Sequence, residues 1–167
     1  SGASLDRVVL PLIDIAVVAA IVAAFVTGNI PAPFPVVEFV LLVTAAALLR
    51  LFGLPLPGKG FASFILLIPL FALLHRGWGW AALVSVVGIL VGDVVVRRVP
   101  IKVAAANGGL IGFAAVLVGV LYDGIGGVHG VLALGSSNAL PLFFAAVALP
   151  VIPNAFFYLQ IYLSDTA

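Results

Sequence analysis

Cysteine and methionine are both absent from this 167-residue sequence, and charge is scarce, with 7 lysines and arginines and 6 aspartates and glutamates making up 8% of the chain. Without cysteine there is no disulfide, thiolate nucleophile, iron–sulfur ligation or cysteine-bound zinc. The net charge of +1 supplies no basic face, so nucleic acid is not an expected partner. Nucleotide signatures are missing as well. No GxxxxGK[ST] loop occurs, and Gly124, Gly126 and Gly127 open like a dinucleotide loop whose last glycine position is held by His129 with no strand before it. His75 and His129 have no second histidine or carboxylate at helical spacing, which argues against a metal site built from neighbours in sequence. Ser85 and Ser136 have no adjacent base. No catalytic residue, metal or cofactor is therefore expected.

What the sequence has in excess is apolar length. Apolar residues make up 65% of it and the mean hydropathy is +1.39, against about 45–50% apolar in an ordinary soluble domain. A helix needs about 20 such residues to cross a bilayer core of about 30 Å. Six segments qualify or nearly qualify: 8–27, 36–54, 61–74, 78–96, 101–122 and 139–163. The expected fold is therefore all-α, a polytopic membrane protein of six transmembrane helices forming a single integral membrane domain over 1–167. The third segment is short and contains Pro69. The sixth contains Pro141, Pro150 and Pro153 and is expected to be broken by them. The start SGASLDRVVL reads as mature sequence rather than as a signal peptide.

Small residues recur at helix-contact spacing. Gly88 and Gly92, with Ala81 and Ser85, form one stripe, and Ala104, Gly108 and Gly112 form another. Such faces let helices approach closely, so segments four and five, joined by a four-residue link, are expected to pack as an antiparallel hairpin. Ala16, Ala20 and Ala24 form a similar stripe on the first segment.

Charge placement gives an orientation. With both termini in the cytoplasm, the inner side collects Arg7, Arg50, Lys59, Arg97, Arg98 and Lys102 and the outer side Arg76 alone, the asymmetry expected of a membrane protein. The polar groups at membrane depth are a candidate network of Asp14, Asp93, Arg97, Arg98, Lys102 and Asn107. Asp93 and Arg97 are one helical turn apart. Asp14 has no partner on its own segment and is expected to reach across to Arg97, Arg98 or Lys102. A role in packing and topology is favoured for this network over a proton or cation relay.

The run GILVGDVVVRRVPIKVAAANGG, followed by VLYDGIGG and later by Asn154, resembles the multi-span N-terminal membrane region of bacterial signalling proteins such as histidine kinases, GGDEF-type diguanylate cyclases and HD-type phosphodiesterases. The likeness covers roughly residues 55–162 and rests on Gly88, Gly92, Asp93, Arg97, Arg98, Pro100, Lys102 and Asn107. It implies a non-catalytic sensory input domain or membrane anchor in a bacterial inner membrane, with a cytoplasmic output module or other membrane subunits as partners besides the lipid bilayer. Two alternatives stand beside it. One is an accessory structural subunit of a respiratory or photosynthetic complex. The other is the substrate-capture subunit of a small-solute or vitamin importer, whose docking helix the alanine stripe imitates.

Overall fold

The structure, a computed structural model, describes residues 2–56 and 60–165. It is helical apart from one short hairpin. The elements in order are α1 (Gly2–Val26), α2 (Val36–Leu49), β1 (Gly53–Leu56), β2 (Gly60–Ser63), α3 (Leu67–Arg76), α4 (Trp78–Val91), α5 (Ile101–Gly124) and α6 (Ala139–Asp165). A 3₁₀ turn over Phe64–Leu66 leads into α3, and a π-helical turn over Gly92–Val96 extends α4. Lys59 and the side chain of Arg7 lie outside the described residues.

Four helical stretches are long and apolar enough to cross a membrane: Val9–Val26, Trp78–Val96, Ile101–Gly124 and Ser136–Phe156. Two of the expected crossings are shorter. The second ends at Leu49 rather than at Leu54, because Pro55 cannot continue a helix and Gly53 weakens one, and both enter the hairpin, where Gly53 pairs with Ser63 and Pro55 with Phe61. The third begins at Phe64, since Gly60–Ser63 is strand. At about 1.5 Å per residue, α2 is about 21 Å long and Phe64–Arg76 about 20 Å. Even so, Arg76 at the end of α3 meets Glu38 at the start of α2, so the chain does return to the end of the bundle from which α2 set out.

The sixth helix is not broken. It runs continuously from Ala139 to Asp165 with Pro150 and Pro153 inside it. Pro141 falls in its first turn, where a missing N–H removes no helical bond, and Pro69 falls in the first turn of α3 for the same reason. Further along, Asn154 Nδ2 donates to Pro150 O at 2.7 Å, a side-chain bond inside the stretch that lacks proline donors.

The core is organised around α4. Of its membrane-length window 56% is buried, against 17% for α1, because α4 packs on α5, α3, α2 and α1 in turn. The α4–α5 hairpin is the most extensive helix pair. Gly108 and Gly112 of α5 supply its close approach, resting on Val86. Gly88 and Gly92 face the other way: a Cβ on Gly88 would meet Ala46 of α2, and one on Gly92 would meet Ala47 of α2 and Arg50 just after it. The small stripe of α4 thus seats α2, not α5. Of the alanine stripe on α1 only Ala24 is fully buried, where it meets Gly79 at the start of α4.

Trp80, Phe34 and Phe39 form an aromatic cluster with centroid separations of 5.3–5.8 Å. It caps the core at the end where α4 begins. Gly77, at φ 101°, is the single residue between α3 and α4, a backbone geometry that an L side chain rarely adopts.

Candidate functional site

Polar side chains gather at both ends of the bundle. At the first end, where α2 and α4 finish and α5 starts, Asp93 is fully buried (0% exposed) on the π turn. Its carboxylate accepts four bonds. Arg50, on the residue that ends α2, donates from Nε to Oδ1 at 2.7 Å and from Nη2 to Oδ2 at 2.8 Å. Asn107 on α5 donates from Nδ2 to Oδ2 at 2.8 Å, and Arg97 Nη1 donates to Oδ1 at 3.1 Å. Arg50 is 14% exposed and Arg97 35%. The fork-on-carboxylate pairing of Arg50 is the directional, charge-assisted kind, whereas Arg97 is the outer, more solvated partner.

Local sequence explains how three elements converge here. Gly92 has no side chain, so the Arg50 stem lies against it. The π turn adds one residue per turn, with Arg97 N donating to Gly92 O at 3.0 Å and Val99 N to Asp93 O at 2.8 Å. Arg98 at φ 55° then turns the chain into Pro100, which precedes α5.

Of the residues singled out from sequence, Asp93, Arg97 and Asn107 come together. Asp14, Arg98 and Lys102 do not join them. Arg98 and Lys102 are exposed, and no hydrogen bond or ion pair links either to Asp14 among the described residues. Asp14 instead lays its carboxylate against the bare Cα of Gly109 on α5, in space that a Cβ would occupy. The glycine thus lets α1 place a half-buried carboxylate against the α5 backbone.

Chain comparison places nothing beside this arrangement. No family model, no curated protein and no solved structure matches the chain.

The second end carries two clusters. Glu38 on α2 is gripped by Arg76 on α3, through Nε at 2.9 Å and Nη2 at 2.6 Å, with His75 Nε2 at 3.6 Å. His75 itself stacks on Phe71. The buried Trp80 indole N–H lies toward Glu38 without reaching hydrogen-bond geometry with any described group. Beside them, the loop between α5 and α6 is tied down by Tyr122 and Asn138, both fully buried. Tyr122 donates to Val128 O at 2.5 Å and Asn138 Nδ2 donates to the Tyr122 hydroxyl at 2.6 Å and to Ala133 O at 2.7 Å. Asn138 Oδ1 accepts from Val128 N at 3.2 Å. His129 then sits with Nδ1 2.8 Å from Leu73 O of α3 and Nε2 2.9 Å from Asp123 Oδ1 of α5.

Arg50, Glu38, Tyr122, Asn138 and Asp123 escaped the sequence reading as site residues. Depth was the one signal for the two ion pairs: Arg50 and Asp93 both lie at the finishing ends of segments two and four, and Glu38 and Arg76 lie at equal depth on the antiparallel segments two and three. Nothing in the sequence signals the Tyr122–Asn138 tie. Among the described residues no group of three or more histidines or carboxylates is placed to hold a metal ion.

Proposed function

We propose that the chain is a non-catalytic membrane domain serving as the input or anchoring part of a bacterial signalling protein, set in the inner membrane with both termini cytoplasmic. The observation that carries this reading is the Asp93 cluster. An ion pair on the fully buried Asp93 joins the ends of α2, α4 and α5 at the end that also bears Arg97, Arg98 and Lys102, the side that the positive-inside rule assigns to the cytoplasm. α6 heads toward the same end. Phe156 is level with Phe113 of α5, and the nine further residues to Asp165 add about 14 Å, which is roughly the distance from Phe113 back to the first turns of α5. A tied base at one membrane face, with a long helix arriving beside it, suits passage of a membrane event to a cytoplasmic module.

To test this, the chain is joined through α6 to the catalytic module of a characterised histidine kinase and autophosphorylation is measured in membranes. Asp93→Asn is expected to change kinase output several-fold, while Arg98→Gln, whose side chain is outside the cluster, leaves it at the parent level. Equal output from the parent and Asp93→Asn, matching that of the module without the membrane domain, overturns the proposal.

A second reading, an accessory subunit of a larger membrane complex, draws on α1. Leu12, Ile15, Val18 and Val22 are all exposed on it. A polypeptide co-purifying with the chain and cross-linking to α1 decides for that alternative.

A further inference from the structure

His129 faces an acceptor on each of its ring nitrogens. Nδ1 meets a backbone carbonyl, Leu73 O, and Nε2 meets a carboxylate oxygen, Asp123 Oδ1. Neither partner carries a proton to give when Asp123 is ionised. A neutral imidazole has one N–H and one lone pair, so in either tautomer it satisfies one partner and turns its lone pair on the other. The imidazolium, with two N–H groups, satisfies both.

The two partners belong to different elements. Leu73 O is in the last turn of α3 and already accepts from Gly77 N at 2.8 Å, while Asp123 is in the last turn of α5. His129 itself is on the connection to α6, immediately before the 3₁₀ turn Gly130–Leu134. Its ring lies against Tyr122 at 5.4 Å between centroids and over Gly77, where an added Cβ would be 3.8 Å from Cε1 and Nε2.

We propose that His129 is a proton-operated clasp: in its protonated form it fastens the α5–α6 connection to α3 and α5 at once, and loss of the proton releases one of the two attachments. This names a signal, the proton concentration at the surface proposed to face outward, for the input-domain reading above, and it rests on that reading only for what the change is used for.

The surroundings let one bond act alone. From α5 the ring is faced by Asp123 and the Tyr122 phenol, and the phenol is engaged with Val128 O and Asn138. From α3 the charged or titratable groups nearest in sequence are His75 and Arg76, and both are directed at Glu38 of α2. The 3₁₀ turn Gly130–Leu134 and the start of α6 bring no titratable group. Tyr122 and Asn138 keep the connection attached in either state, so the predicted change is a loosening of the His129 stretch against the end of α3, not a loss of fold. The sign follows from the partners. Acid closes the clasp, and it opens as the pH rises and the imidazole gives up its second proton.

The sequence contains two histidines and no cysteine, which makes the test direct. Histidine-selective ¹⁵N labelling in the His75→Gln background leaves one imidazole to observe in lipid nanodiscs. Both His129 nitrogens are expected to carry a proton when the clasp is closed in acid and only one when it is open. Asp123→Asn, which replaces an acceptor-only carboxylate by an amide that can also donate to a neutral ring nitrogen, is expected to weaken the pH response. In parallel, spin labels on Val37→Cys and Val131→Cys, both exposed positions, report the distance between α2 and the connection. A narrow distribution in acid that broadens at high pH, and is broad at both in His129→Gln, supports the clasp. Distributions unchanged with pH, or a pH response that survives in His129→Gln, overturn it. Since the readouts are structural, the clasp can fail while the kinase-fusion test succeeds, and the reverse.

Discussion

Taking a carboxylate out of water costs several kcal/mol even after relaxation, and Asp93 offsets that cost through Arg50, Arg97 and Asn107. Removing either main partner leaves the other charge buried. Arg50→Ala and Asp93→Ala are each expected to destabilise the protein by about 3–5 kcal/mol. Their double variant should lose clearly less than the sum, since the two residues form one interaction. Arg97→Ala, a third exposed, should cost only about 0.2–1 kcal/mol. Denaturation of the parent and these four variants in one detergent checks all three statements. The Arg97 contact was legible, because i to i+4 on a helix is a fixed geometry. The Arg50 contact was not, because the two residues are 43 positions apart and sequence sets their depth without setting which helices are neighbours. Asp14 misled for a related reason: a missing partner in sequence suggested a cross-helix ion pair, whereas the helix opposite offers Gly109. Gly109→Ala is expected to be destabilising in the parent and close to neutral in Asp14→Ala, where the space is free. A similar loss in both backgrounds contradicts the contact.

Turns, more than helix interiors, decide where the elements of this chain go. Gly77 ends α3 and begins α4 in one residue at φ 101°, and an added Cβ would meet only the His129 ring at ordinary contact distance. Gly77→Ala should therefore cost about 1–2 kcal/mol, through the backbone and not through a clash. A loss much larger than this would show that the side chain does collide. The extents of α1, α4 and α5 were readable, since long apolar runs bounded by charge or glycine have few other solutions. The end of α2 and the continuity of α6 were not. Hydropathy continues through Leu51–Leu56 although proline and glycine convert it to a strand, and proline content alone does not reveal that Pro141 sits in a harmless first turn. The π turn was equally hidden, because one inserted residue leaves an apolar helix looking like an apolar helix.

The molecule as a whole is a bundle with a different polar device at each end: a buried ion pair that ties α2, α4 and α5, and a tethered loop in which His129 joins α3 to α5. Both devices lie toward the ends of the long apolar stretches, whose exposed surface of leucine, valine and phenylalanine matches lipid rather than water. The account therefore stands on the two ends lying on opposite sides of a bilayer. Single cysteines at Lys102, beside the Asp93 cluster, and at Val131, on the His129 loop, test this directly in a chain that has no other cysteine. Both positions are exposed. In sealed right-side-out vesicles a membrane-impermeant maleimide is expected to label Val131→Cys and to spare Lys102→Cys, with the pattern reversed in inverted vesicles. Labelling of both positions from the same side would contradict the account.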